Sequence, residues 1–248
     1  MSGHSKWATI KHKKGAADKA RGKLFAKLAR QIEVAVRAGG GDIDTNATLR
    51  TMVLKAKAGQ MTKDAIERAI KRGMGENNGA NYESITYEGY APGGVALLVD
   101  VLTDNRNRTA SDVRMAFSKH GGAMAEPGAV GWQFSRCGVI LLDGGADEDT
   151  VMTVALEAGA DDVGRDGDSW RITTTPHAVY EVRDAVEASG LIVMSAETTM
   201  VSSTIIEVSD AGDAKSILRI MDALEDNDDV QDVYANFDID DAVMESLD

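Results

Sequence analysis

A β-hairpin followed by a helix is predicted for residues 161–188, DDVGRDGDSWRITTTPHAVYEVRDAVEA. The turn RDGD at 165–168 separates two strands, and Thr175 followed by Pro176 is typical of a helix start. Elements predicted on either side extend this pattern to strand 138–142, helix 150–158, strands 161–164 and 169–174, helix 176–188 and strand 191–200. This β-α-β-β-α-β order predicts a ferredoxin-like domain.

The sequence around this unit predicts a second α/β set that the unit interrupts. The predicted elements are strand 95–102, helix 109–119 and strand 130–134 before it, and strand 205–208, helix 211–225 and strand 230–237 after it. Neither half can close a core alone. We therefore predict a discontinuous ferredoxin-like domain over 79–134 and 205–248, with an inserted ferredoxin-like domain over 135–204. The alternative is two sequential domains divided near Ser203.

Residues 1–78 predict a basic N-terminal arm and a three-helix domain. The arm, residues 1–20, is rich in lysine and small residues and is expected to be mobile. Apolar residues then recur at helical spacing up to the glycines at 39–41. Two further helices are predicted at 47–58, capped by Asn46 or Thr45, and at 63–72, capped by Thr62. A polar hinge is expected at 76–81. The predicted fold class is α+β, with three domains.

Charge is divided unevenly along the chain. The 248 residues carry a formal net charge of −13, with 27 Lys+Arg and 40 Asp+Glu. Residues 1–75 carry +11 (17 basic, 6 acidic) and the remainder −24 (10 basic, 34 acidic). A single cysteine, Cys137, indicates a reducing cytoplasm. No apolar run approaches the ~20 residues of a membrane span. No motif indicates an enzyme, a metal site or a cofactor site.

The basic arm and the helix after it are the strongest functional signal. Phosphate backbones attract such a cluster largely without regard to base sequence. The candidate nucleic-acid-binding residues are Lys6, Trp7, Lys11, His12, Lys13, Lys14, Lys19, Arg21, Lys23, Lys27 and Arg30. Trp7 could stack on an unpaired base or plug the core to dock the arm. The alternative for the lysines is a solvated helix face, but the acidic remainder already supplies solubility.

A secondary candidate is TDNRNRT, residues 103–109, between a buried strand and a helix. Asp104, Asn105, Arg106, Asn107 and Arg108 could form an anion site at the helix N-terminus. The alternative is a turn in which Asp and Asn bind backbone groups and Thr109 caps the helix. Spacing alone favours the turn.

The arm motif GHSKW…IKHKK and the motif TDNRNRT resemble those of the YebC/PmpR family. The pieces AKAGQMTKDAIERAIKRGMG at 56–75 and YEGYAPGG at 87–94 are similar as well. The resemblance implies three domains in a cytoplasmic, non-catalytic protein that controls gene expression. It also implies a nucleic-acid role for Lys6, Trp7, Lys11, His12, Lys13 and Lys14, and a functional role for TDNRNRT.

Two functions lead at this stage, ahead of a scaffold that binds no nucleic acid. The first is a DNA-binding transcriptional regulator that acts through the basic arm, which the usual family assignment favours. The alternative is a ribosome-associated translation factor that binds ribosomal RNA and relieves stalling at sequences such as proline runs. The acidic domains are candidates for contact with a protein partner, and the sequence leaves the oligomeric state open.

Overall fold

The computed structural model describes residues 17–75 and 81–247. Residues 1–16 of the predicted arm and residues 76–80 of the predicted hinge lie outside them. The first described element is helix α1, Ala17–Gly39, followed by α2, Ala47–Ala58, and α3, Lys63–Gly73. Helix α1 therefore begins inside the predicted arm, because residues 17–20 were predicted as part of the arm and not of the helix.

The three helices pack around one apolar core. Leu28, Ile32 and Leu49 are among its fully buried side chains. Asn46 fixes the start of α2, because its Oδ1 accepts from Leu49 N at 3.0 Å and its Nδ2 donates to Ala35 O at 2.8 Å. Thr62 caps α3 by accepting from Ala65 N. Both predicted caps are confirmed, since short-range capping depends on local sequence alone.

The first sheet has the spatial order β3-β1-β2-β9, and all its neighbours are antiparallel. Its strands are β1, Glu83–Tyr90; β2, Ala96–Thr103; β3, Ala123–Ala125; and β9, Val230–Ala235. Helices α4, Arg106–Ser118, and α7, Ala211–Glu225, cover one face of the sheet and bury Phe117, Ile217 and Met221 against it.

Two strands of this unit differ from the sequence prediction. Residues 130–134, predicted as a strand, form a 3₁₀ turn at Gly131–Gln133 that leads into the next strand. Residues 206–208 form β8, Ile206–Val208, which pairs in parallel with β10, Phe237–Ile239, outside the first sheet. The places expected for these strands are taken by β3 and β1. A short helix α8, Asp241–Glu245, follows β10.

The second sheet has the order β5-β6-β4-β7 and is antiparallel throughout. Its elements are β4, Phe134–Leu142; α5, Glu148–Glu157; β5, Asp162–Asp166; β6, Ser169–Thr174; α6, Val179–Ala188; and β7, Val193–Ser202. Numbered along this unit, the strands stand in the order 2-3-1-4, as in a ferredoxin-like domain. The first sheet has the same spatial arrangement, with β1 in the place of the third strand although it comes first in the chain.

The α+β fold class is confirmed. Because β3 and β8 belong to one apolar core and the elements from β4 to β7 lie between them in the chain, the second sheet interrupts the first along the sequence. We refer to residues 17–75 as the helical unit, to the first sheet with α4, α7, β8, β10 and α8 as the body, and to β4–β7 with α5 and α6 as the inserted unit. Among the described residues, no helix has the length and apolarity needed to cross a membrane.

Candidate nucleic-acid interface

The candidate residues of the basic arm fall into two groups. Lys6, Trp7, Lys11, His12, Lys13 and Lys14 lie outside the described residues. Lys19 belongs to α1, and Arg21, two residues further along this helix, is exposed. The remaining three, Lys23, Lys27 and Arg30, follow along α1 at spacings of three or four residues, which places them on one face of the helix.

That face of α1 is turned toward the body. It meets residues 225–229, with the sequence EDNDD, which join α7 to β9 and are called the acidic segment below. Lys23 Nζ contacts Asp226 Oδ1 at 2.6 Å and the Asp226 carbonyl at 3.1 Å. Lys27 Nζ donates to the Glu225 carbonyl at 3.1 Å. Three of the cations predicted to bind phosphate are therefore held by the body of the same chain.

Arg30 lies at the inner end of this row of contacts. Its Nη1 donates to the carbonyls of Leu102 at 3.0 Å and Asp228 at 2.8 Å, and to Asp229 Oδ1 at 2.9 Å. Its guanidinium also lies over the ring of Tyr82, 5.1 Å from the centroid. The side chains of Arg30 and Asp229 are only 18% and 7% exposed. This pair is thus largely withdrawn from solvent.

Asp229 joins α1 to the TDNRNRT motif. Its Oδ2 accepts from Arg108 Nη2 at 2.8 Å, Thr109 Oγ1 at 2.7 Å and Thr103 Oγ1 at 3.1 Å. Burial raises the pKa of Asp229, but the hydrogen bonds from Arg108 and Thr109 and the charge of Arg108 outweigh burial, so its pKa lies below the ordinary value. Asp229 is therefore held as a carboxylate with both oxygens occupied.

TDNRNRT forms a capped turn. Asn105 is the N-cap of α4, with its Oδ1 accepting from Arg108 N at 3.1 Å. The helix therefore starts three residues before the predicted position, and Thr109, expected as the cap, instead binds Asp229. Arg108 also pairs with Asp104 at 2.9 Å, and both its carboxylate partners raise its pKa. Arg106 and Asn107 are exposed.

Two features of this surface were missed from the sequence. The acidic segment is not among the candidate residues, and its only local signal is the EDNDD composition, opposite in charge to α1. The helical unit also exposes Lys55, Lys57, Arg68 and Lys71 on α2 and α3. These four were counted in its charge of +11 but not named as candidates. They add exposed cations to the surface of the helical unit.

Chemically, the described surface is suited to binding an anion and shows no metal centre. Within residues 17–75 and 81–247, no group of three His, Cys, Asp or Glu side chains could hold a metal ion. Cys137 is a partly buried free thiol, and burial raises its pKa. The exposed cations of the helical unit can attract an anion, whereas Lys23, Lys27 and Arg30 already have acceptors on the body.

Two family models together match most of the amino-acid sequence. Residues 5–76 match the model described as the TACO1/YebC protein N-terminal domain. Residues 82–237 match the TACO1/YebC second and third domain. The resemblance noted from the arm and TDNRNRT motifs is thereby confirmed.

Relatives match over their full length. A protein of Geobacter sulfurreducens named probable transcriptional regulatory protein is 53% identical over 247 residues, covering 100% of both chains. One of Rubrobacter xylanophilus with the same name is 55% identical over 246 residues, covering 98% of each. The crystal structure of a conserved hypothetical protein from Aquifex aeolicus aligns with a TM-score of 0.78 and 43% identity, covering 90% of this chain and 93% of that one.

Proposed function

This chain belongs to the TACO1/YebC family, and we propose that it is a non-catalytic, DNA-binding transcriptional regulator of the cytoplasm. It binds through the basic arm and the exposed cations of the helical unit. The names of the Geobacter and Rubrobacter relatives support a role in regulation. The separation of charge between the two parts of the chain supports nucleic acid as the target.

The observation that carries this proposal is the uneven distribution of charge along the chain. The arm supplies Lys6, Lys11, Lys13 and Lys14, and α2 and α3 expose further lysines and arginines. The rest of the chain carries −24 and would be repelled by a long stretch of duplex. Binding is therefore confined to the helical unit and its arm, whose sequence includes Trp7, a side chain able to stack on an unpaired base.

A second candidate is the ribosome-associated translation factor. It is favoured by one contact: the basic face of α1 lies against the body, so α1 does not present Lys23, Lys27 and Arg30 to a major groove. A cationic arm could bind phosphates in a recess of folded RNA as well as those of DNA. We rank the DNA-binding regulator first because of the names of the relatives.

The test is charge reversal in the arm. Lys11→Glu, Lys13→Glu and Lys14→Glu together should abolish binding of the full chain to duplex DNA and to ribosomal RNA fragments in filter binding. A matched control, Lys119→Glu with Lys215→Glu and Arg219→Glu, makes the same change in net charge at exposed positions of the body. It should leave binding nearly intact. Equal losses in the two variants would reject the arm as the binding element.

Salt dependence and crosslinking then separate the alternatives. If the arm contacts phosphates, log affinity falls linearly with log salt, and the steepness of the slope decreases by about 0.9 for each contact removed singly. Crosslinking in cells, with sequencing of both bound DNA and bound RNA, identifies the polymer. Enrichment of promoters supports the regulator, and enrichment of ribosomal RNA supports the translation factor.

A further inference from the structure

The contacts between α1 and the acidic segment become more exposed to solvent from the inner end to the outer end. At the inner end, Arg30 and Asp229 are largely buried, and Arg30 has two carbonyl acceptors besides the carboxylate. At the outer end, the side chains of Lys23 and Asp226 are 27% and 77% exposed. The inner contact is therefore protected from water and salt, whereas the outer contact is open to both.

The acidic segment offers α1 the same chemistry as a phosphate backbone. Carboxylate and carbonyl oxygens lie 2.6–3.1 Å from the Lys23 and Lys27 ammonium groups, the range of a charge-assisted hydrogen bond to a phosphate. These groups are positioned on the body, so a phosphate reaching the same face of α1 competes with them for the Lys23 and Lys27 ammonium groups.

The outer contact is weak enough to be displaced. Exposed ion pairs contribute little, because water and salt screen them and long side chains lose entropy in forming them. A polyanion that already holds the arm presents its phosphates to α1 at high effective concentration. Arg30 keeps α1 attached to Asp229 while the outer part of the helix exchanges one anion for another.

We propose that the acidic segment is an internal competitor of nucleic acid for Lys23 and Lys27. It covers these cations in the free protein and weakens binding to polyanions that do not also engage the arm. This inference rests on the proposed function, since it requires that the arm bind nucleic acid. The acidic segment then has a role in controlling binding, which a loop that only faces solvent would not have.

The test compares two neutralised carboxylates in the full chain. Asp226→Asn removes the acceptor charge beside Lys23, and Asp226 is exposed, so the fold should persist. Glu187→Gln removes the same charge from an exposed position on the inserted unit. Asp226→Asn should bind a DNA or RNA oligonucleotide about two- to fivefold more tightly than the wild type, the range of an exposed ion pair. Glu187→Gln should bind as the wild type does.

The salt slope gives a second readout that a merely structural role of Asp226 would not move. Freeing one lysine for phosphate should steepen the slope of log affinity against log salt by about 0.9 in Asp226→Asn. If the wild type binds but Asp226→Asn matches Glu187→Gln in affinity and slope, the competitor is overturned and the proposed function stands. If no variant binds any oligonucleotide, the proposed function fails and the competitor with it.

Discussion

The body meets its two neighbours in different ways. Its contact with the helical unit includes the ionic junction, the name used here for Lys23, Lys27 and Arg30 against the acidic segment. Its contact with the inserted unit, the apolar junction, is a cluster of buried side chains. That cluster comprises Ala96, Leu98, Val130, Phe134 and Tyr234, with Ala129 and Met200 packed against it.

The two junctions should respond differently to solution conditions. Burial of apolar surface is insensitive to moderate salt, whereas exposed ion pairs weaken as salt rises. The apolar junction is also reinforced by Glu88, whose carboxylate accepts from the backbone N–H groups of Gly128, Val130 and Gly131. The inserted unit is therefore held to the body by buried apolar side chains, whereas the outer part of the helical unit is held by contacts that another anion can replace.

The largest expected effect lies in the apolar junction. Phe134→Ala removes a ring that is 6% exposed and should lower the free energy of unfolding by about 3–5 kcal/mol. Urea denaturation at low and high salt measures it, and the loss should be the same at both. Phe134→Leu, which keeps most of the volume, is the milder control. A loss that varied strongly with salt would contradict the distinction between the junctions.

The inner end of the ionic junction comes next. Asp229→Asn keeps the size of the side chain but removes the charge shared by Arg30 and Arg108. The free energy of unfolding should fall by about 1.5–3 kcal/mol, as for hydrogen bonds to charged groups. Asp228→Asn is the matched control, because its side chain is exposed and its carbonyl keeps its bond to Arg30. Equal urea midpoints for the two variants would show that Asp229 is not the centre of the junction.

Acidification should weaken both junctions through their carboxylates. Burial raises the pKa of Glu88, but three backbone N–H donors outweigh it, so this pKa is lowered, as is that of Asp229. A carboxyl group whose pKa is lowered by folding stabilises the fold above its unfolded pKa of about 4. That contribution disappears as pH falls through the folded value.

Urea midpoints measured from neutral to acidic pH check this effect. The decline should be shallower in Asp229→Asn and in Glu88→Gln than in the wild type, since each variant lacks one titrating group. Profiles parallel to that of the wild type would mean that neither carboxylate contributes to acid sensitivity.

The smallest effect is expected at the outer end of the ionic junction. A double-mutant cycle with Lys23→Met and Asp226→Asn should give a coupling free energy of about 0.2–1 kcal/mol at low salt. The coupling should vanish at high salt because the pair is exposed. A larger coupling that persisted in salt would make the outer contact as firm as the inner one.

Local signals explain what the sequence predicted well. The caps Asn46 and Thr62 bind backbone groups three residues ahead, so their sequence neighbourhood contains all the information needed. The hairpin around 165–168 and the order of strands and helices in the inserted unit were found for the same reason. The predicted start of α6 was wrong, because this helix begins at Val179 with Ala178 as its N-cap and no side-chain cap, not at Pro176 after Thr175. Strand β1 was missed because its sequence, ESITYEGY, places Glu88 in a buried position, and the groups that satisfy this carboxylate lie about 40 residues away.

The candidate site was harder to predict because its partners are distant in sequence. Arg30 and Asp229 are 199 positions apart, and no periodicity links them. Charge composition indicated that α1 is basic and that residues 225–229 are acidic, but it could not show that each is the partner of the other. The contacts of Arg108 and Thr109 with Asp229 were likewise invisible, so TDNRNRT could be placed at a turn but not at a junction.

The antiparallel pairing of β4 with β7 brings the two ends of the inserted unit together. Phe134, at the start of β4, is the partner of Ser202, at the end of β7. The chain therefore enters and leaves the inserted unit at adjacent points, about 4.5–5.5 Å apart in Cα position. To the body, the whole unit is one long surface loop, and the entropic cost of closing a loop rises by only about 0.6 kcal/mol for each doubling of its length. A single recombination event at this seam can thus add, exchange or delete the unit while leaving the strand order of the body unchanged.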